Sequence, residues 1–161
     1  MAELSLPSGP VALIDDEDWP LVKGYRWFAM PARRTIYVAA TPYRDGRTTT
    51  VRLHRLLMAP GPGLWVDHIN GDGLDNRRAN LRAVTRGQNA INRRTGTNNT
   101  SGFKGVSWHP EMKRWRADIS VGGKRRHLGT FARPEEAAAA YNAAALTAWG
   151  PLARLNTLEE K

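Results

Sequence analysis

The stretch Thr95–Gly102, TGTNNTSG, has no apolar side chain and is dense in turn formers. It cannot contribute to a hydrophobic core, so it sets a domain boundary. The reading is a linker over 95–101, one domain over 1–95 and a second over 102–161. In a chain of 161 residues both domains are small. Small domains bury a modest fraction of their surface and are only marginally stable alone.

The first part opens with short β-prone runs separated by turn residues: Val11–Ile14, Tyr25–Met30, Thr35–Ala40 and Thr48–Leu53. Asp45-Gly46 supplies the positive φ for a tight turn before the last of them. Leu53–Met58 reads as a short helix stopped by Pro60 and Pro62. This β-rich lead-in covers 10–60. From Trp65 the order becomes strand (Trp65–Ile69), polar loop (Asn70–Asn80), strand (Leu81–Val84) and helix. Thr85 and Gln88 have capping-box spacing, and the helix is expected to run to about Arg93.

Past the linker, three strands are expected: Gly105–Trp108, Trp115–Val121 and Arg125–Gly129, with Gly122-Gly123 turning between the last two. Pro134 suits the first position of a helix, and Glu135 and Glu136 favour the positive end of its dipole. Ala137, Tyr141, Ala144, Ala145 and Ala148 share one face of that helix, which Gly150-Pro151 stops. The fold class is α+β: a β-rich N-terminal half with a strand–loop–strand–helix core over 65–94, then a three-stranded antiparallel sheet packed on one helix.

Lys plus Arg number 24 against 15 acidic residues, a net charge of +9, and both domains are net positive. A chain this basic usually meets a polyanion, most often nucleic acid. With no cysteine, disulfides, zinc ribbons and thiol nucleophiles are excluded. No apolar run approaches the ~18 residues of a membrane span. MAELSLPSGP lacks the basic and apolar regions of a signal peptide. The expected setting is cytoplasmic.

Hydrolysis of a phosphodiester needs a base for water and a cation for the phosphate and leaving oxygen. His68 titrates near neutrality and can be the base, and Asp67 can hold the cation. Adjacent strand residues point to opposite faces, so the strand must end or twist here for both to reach one site.

An isolated Asp-His pair arises easily by chance. The longer pattern, VDHINGDGLDNRRANLRAVTRGQNAINRR over 66–94, resembles the core of the HNH endonucleases of the phage and intron-homing branch. The upstream VALIDDEDWPLVKGYRWF and Leu53–Leu57 are similar to that branch's lead-in. The resemblance implies a ββα-metal fold. In it His68 is the general base and Asn80 pins the loop and orients His68. Asp67 and Asn89 bind one divalent ion, Mg2+ or Mn2+. Asn89 stands where many of the family carry histidine, and a neutral amide oxygen implies modest metal affinity. Asp72, Asp75 and Asn76 are reserve ligands that loop capping explains more simply. His54, on an apolar helix, reads as a structural, hydrogen-bonded histidine. Arg77, Arg78, Arg82, Arg86, Arg93 and Arg94 are candidate phosphate contacts.

Residues 102–156 resemble the DNA-binding domain of plant ethylene-response factors (Apetala type). The matching landmarks are Phe103-Lys104-Gly105-Val106, Trp115–Ile119, Leu128–Phe131, Glu135–Ala138 and Leu155-Asn156. The resemblance implies a sheet laid in the DNA major groove with a helix behind it. Trp115, Ala117 and Ile119 should face the helix, and Arg116, Asp118 and Ser120 the DNA. Lys104, Ser107 and His109 on the first strand, and Arg125 and His127 across the hairpin, complete the expected reading face. Ser107, His109, Ser120 and His127 replace Arg or Trp of the plant family, which implies a different sequence preference. Together these features describe a metal-dependent endonuclease that nicks double-stranded DNA, acts as a monomer and is steered by its second domain. The alternative is an inactive DNA-binding regulator. The two differ at Asp67, His68, Asn80 and Asn89, and all four are intact.

Overall fold

The computed structural model describes residues 1–33, 35–92 and 98–158. Backbone contacts divide the chain into two compact units, Met1–Asn89 and Ala90–Lys161. Both are mixed α and β, with small antiparallel sheets in the first and a long helix in the second. Arg93, Arg94 and 95–97 of the expected linker lie outside the described residues. Among the described residues no helix is long and apolar enough to cross a membrane.

The first unit begins with a hairpin of β1 (Ala2–Ser5) and β2 (Val11–Ile14). A one-turn helix follows, α1 (Trp19–Val22). The next sheet joins β3 (Phe28–Ala32), β4 (Thr35–Ala40) and β7 (Val51–Arg52). Between them β5 (Tyr43–Arg44) and β6 (Arg47–Thr48) close a ribbon over Asp45-Gly46, both at positive φ. The helix α2 (Leu53–Met58) ends at Ala59, and β8 (Trp65–His68) pairs with β9 (Leu81–Val84). Last comes α3 (Arg86–Ile91), which crosses the boundary into the second unit. Ile14, Val22, Val38 and Leu53 are completely buried and form the centre of the core.

Two sequence expectations are corrected here. The strand expected over Tyr25–Met30 lies at Phe28–Ala32, because the Trp27 indole donates to the Val22 carbonyl (2.9 Å) and holds that segment against α1. The strand expected over Thr48–Leu53 is broken into β6 and β7, which belong to different sheets.

The second unit is a sheet ordered β10 (Val106–His109), β11 (Arg114–Val121), β12 (Lys124–Phe131), backed by α4 (Pro134–Trp149). Gly122 and Gly123 both have positive φ, as the tight turn requires. Ala117 and Ile119 are buried against α4, and Trp115 packs partly on the same layer. Ala137, Ala138, Tyr141 and Ala145 form the buried face of the helix. Ala138 takes part and Ala148 is exposed, unlike the expected stripe. Gly105 has φ +77°, and a Cβ there would lie 2.1 Å from the Tyr141 ring. Only glycine lets the chain pass so close to the helix. Asn156 binds the Lys104 backbone at both ends (2.6 and 3.1 Å) and exchanges two bonds with Asn142, fastening the segment after α4 to the start of the sheet.

Candidate active site

β8 pairs with β9 so that Asp67 stands opposite Arg82 and His68 opposite Leu81. β8 ends at His68, and Gly71 has positive φ immediately beyond. Asp67 and His68 accordingly line one cleft of about 300 Å³, which Tyr37, Arg52, His54, Arg55 and Asn89 also line. Thr85 and Gln88 close the expected capping box at 2.8 and 3.3 Å, which fixes the start of α3 and so the place of Asn89.

The polar loop is locked at both ends. Asn80 accepts from the Asn70 backbone N–H (3.0 Å) and donates to the Asn70 side chain (3.0 Å) and the Asp75 carbonyl (2.8 Å). The loop also docks onto the N-terminal hairpin: Leu13 N–H donates to Leu74 O (2.9 Å), and Asn76 N–H donates to Leu13 O (2.8 Å). On the other side Gly73 N–H donates to Thr35 Oγ1 (2.8 Å). Asn80 thus ties Asn70 to the Asp75 turn of the loop. Asn76 is a side-chain partner of the His68 ring, with its Oδ1 3.3 Å from Nε2. An imidazole contact therefore comes from Asn76, which the sequence offered as a reserve ligand more simply explained by loop capping.

Burial lowers the His68 pKa, and the Asn76 bond and the carboxylates of Asp67, Asp72 and Asp75 partly offset that. Burial pushes His54 further, to about 3, with His68, Arg52 and Arg55 adding to the effect. Both rings are therefore neutral at physiological pH. The His54 and His68 rings meet edge-on at 5.0 Å, and Tyr37 lies 5.5 and 5.9 Å from them.

Of the arginines expected on phosphates, three hold carboxylates. Arg77 grips Asp75 with two bonds of 2.7 Å and keeps that carboxyl below its usual range. Arg78 binds Asp18, which is almost wholly buried, and its backbone N–H donates to Asp15. Arg82 binds Asp67 Oδ2 at 2.9 and 3.0 Å. Arg86 is exposed.

A cation fits this cleft by the chemistry of its donors. One carboxylate, Asp67, and one amide, Asn89, border the same space, and oxygen donors suit a hard divalent ion that keeps several waters. Among the described residues no three His, Cys, Asp or Glu side chains converge, so the donor set is open rather than a closed cage.

In the second unit Asp118 is buried beneath three partners. Arg116 reaches it at 2.9 Å, Arg125 at 2.8 Å and His127 at 3.4 Å. Burial raises its pKa, but Arg125 and Arg116 outweigh that and the net shift is downward. Ser107 stands opposite Arg116 and Ser120 opposite Arg125, while His109 pairs with Arg114. Lys104 departs from its expected position. It precedes β10, and its ammonium donates to the Ile91 carbonyl. Burial beside Arg154 lowers its pKa to about 8.

Comparison with known families matches one segment in each part of the chain. Residues 58–91 match the family model described as HNH endonuclease, and residues 101–151 match the one described as AP2 domain, so the chain joins a nuclease-type segment to a DNA-binding-type domain. Protein 3.8 of Escherichia phage T7 is 39% identical over 73 residues, covering 44% of this chain and 60% of that protein. An uncharacterised HNH endonuclease of Acanthamoeba polyphaga mimivirus is 27% identical over 154 residues, covering 94% of this chain and 77% of the viral one. The alignment thus spans less than two thirds of the phage protein's own length.

Proposed function

We propose that the chain is a divalent-metal-dependent DNA endonuclease with one cleavage centre, formed by His68, Asp67 and Asn89 on a ββα-metal core. That those three residues line one cleft supports this reading above all else. Asn76 turns His68 so that Nδ1 holds the lone pair. His68 takes a proton from water as the water oxygen attacks phosphorus. The bond from phosphorus to the 3′ oxygen breaks, that oxygen is protonated from solvent, and a 5′-phosphate and a 3′-hydroxyl remain. Asp67 and Asn89 would hold a Mg2+ or Mn2+ ion, which neutralises charge on the phosphate and departing oxygen. Asn80 keeps the loop, and hence Asn76, in place.

Arg116, Arg125, His127, Ser107, His109 and Ser120 form the face that meets the duplex, with Asp118 aiming the arginines. One centre per chain makes nicking by a monomer the expected action, in a phage-infected or bacterial cytoplasm. The test is conversion of supercoiled plasmid to open circles in Mg2+ or Mn2+. Conversion that chelator abolishes supports the proposal. No conversion of any bound plasmid in either metal removes it and favours a DNA-binding regulator.

A further inference from the structure

His54 does not behave as a satisfied core histidine. It is 5% exposed, yet its Nδ1 is sealed from water and has no hydrogen-bond partner among the described residues. The ring is wedged edge-on against His68 and beside Tyr37, and it borders the cleft that Asp67, His68 and Asn89 share. A buried N–H without an acceptor is rarer and costlier than a buried lone pair. The sealed Nδ1 therefore carries the lone pair and Nε2 the proton. With Nδ1 sealed, Nε2 is the ring nitrogen left to meet a ligand in the cleft that His54 lines. Arg52 and Arg55, which line the same cleft, favour an anionic one.

We propose that His54 is a second imidazole of the cleavage centre, its Nε2–H donating a hydrogen bond to a non-bridging oxygen of the scissile phosphodiester. This rests on the reading of the cleft as a site of phosphodiester hydrolysis. The division of labour is chemical: His68 accepts a proton from water, whereas His54 stays neutral and stabilises charge on the phosphate. A donor fixed by packing needs no reorganisation as that charge grows.

Three substitutions separate the two ring nitrogens. The side-chain amide of His54→Gln reaches the Nε2 position, that of His54→Asn reaches only the Nδ1 position, and His54→Phe fills the space without a donor. Single-turnover cleavage of supercoiled plasmid in Mg2+ should fall about 10²- to 10³-fold in the Phe and Asn variants, as for loss of one oxyanion donor. The Gln variant should recover most of the rate, at comparable thermal stability of all three. His54→Phe cleaving like wild type, or rates that simply follow stability, would overturn the proposal.

A second readout needs no cleavage. In ¹⁵N-histidine-labelled full-length protein, His54 should show the Nε2–H tautomer, and that signal should move when a short DNA duplex is added in EDTA. An Nδ1–H tautomer, or a signal indifferent to DNA, would equally overturn it. A responsive His54 in a protein that cleaves nothing would refute the nuclease reading and leave the phosphate contact standing.

Discussion

Asn76 Oδ1 lies 3.3 Å from His68 Nε2, and the amide's other end donates to the Gly73 and Leu74 carbonyls, both at 3.1 Å. Those two bonds settle which end of the amide faces the ring, since the reverse would set an oxygen against two carbonyls. An oxygen facing Nε2 requires a proton there, so the basic nitrogen of His68 is Nδ1. Asn76→Ala should cost about 1–3 kcal/mol of folding stability, the usual loss when buried polar groups are orphaned. It should also erase the Nε2–H preference of His68. Urea unfolding and imidazole ¹⁵N shifts measure the two effects, and an unchanged tautomer would contradict this assignment.

Gly73 is where the loop touches β4. A Cβ there would lie 2.4 Å from the Ile36 carbonyl oxygen and 2.9 Å from the Tyr37 ring. Backbone cannot give way as a flexible side chain does, so Gly73→Ala should lift the loop and destabilise the first unit by about 1–3 kcal/mol. Asn76 should move with it, which the His68 resonances would register. Wild-type stability in this variant would show that the loop is not docked as described.

Acid should weaken the first unit through its two buried imidazoles. The folded protein resists a proton that the unfolded chain accepts near pH 6.5, so stability is full above that value. It declines as pH falls toward about 3, where His54 protonates in the folded state. His68 shifts in the same direction. His54→Phe removes one contributor, so its urea midpoint should change less between about pH 7.5 and about pH 5 than the wild-type midpoint. A steeper change would contradict the neutral, buried state of His54.

Arg125 is more exposed than Arg116 and is held toward Asp118 at 2.8 Å, which aims it without burying it. Arg125→Ala should cost about 1–3 kcal/mol of duplex affinity, measured by fluorescence anisotropy at fixed salt. Unchanged affinity would remove Arg125 from the interface.

Local chemistry was legible in the sequence wherever neighbours in the chain decide it. The Thr85–Gln88 box, the Gly122-Gly123 turn and the burial of Ala117 and Ile119 formed as expected, whereas Asp118 between them, expected to face outward to DNA, is buried as well. What escaped depends on docking between distant segments. Leu13 pairs with Asp75 across the loop, and Arg78 finds Asp18 sixty residues away. No local spacing signals such partners. The Asn76–His68 bond forms only because the hairpin and β4 hold the loop from two sides. The arginine-rich motif read as phosphate-binding for the same reason: charge is visible in the sequence, whereas the carboxylates of Asp18, Asp67 and Asp75 claim it only after folding.

In the proposed mechanism His68 activates water for phosphodiester cleavage. The direct measurement is the single-turnover rate of His68→Ala against wild type on supercoiled plasmid in Mg2+, at protein concentrations that saturate the DNA. The expected result is a loss of about 10²–10⁴-fold with duplex affinity retained. Cleavage by His68→Ala at the wild-type rate would contradict it.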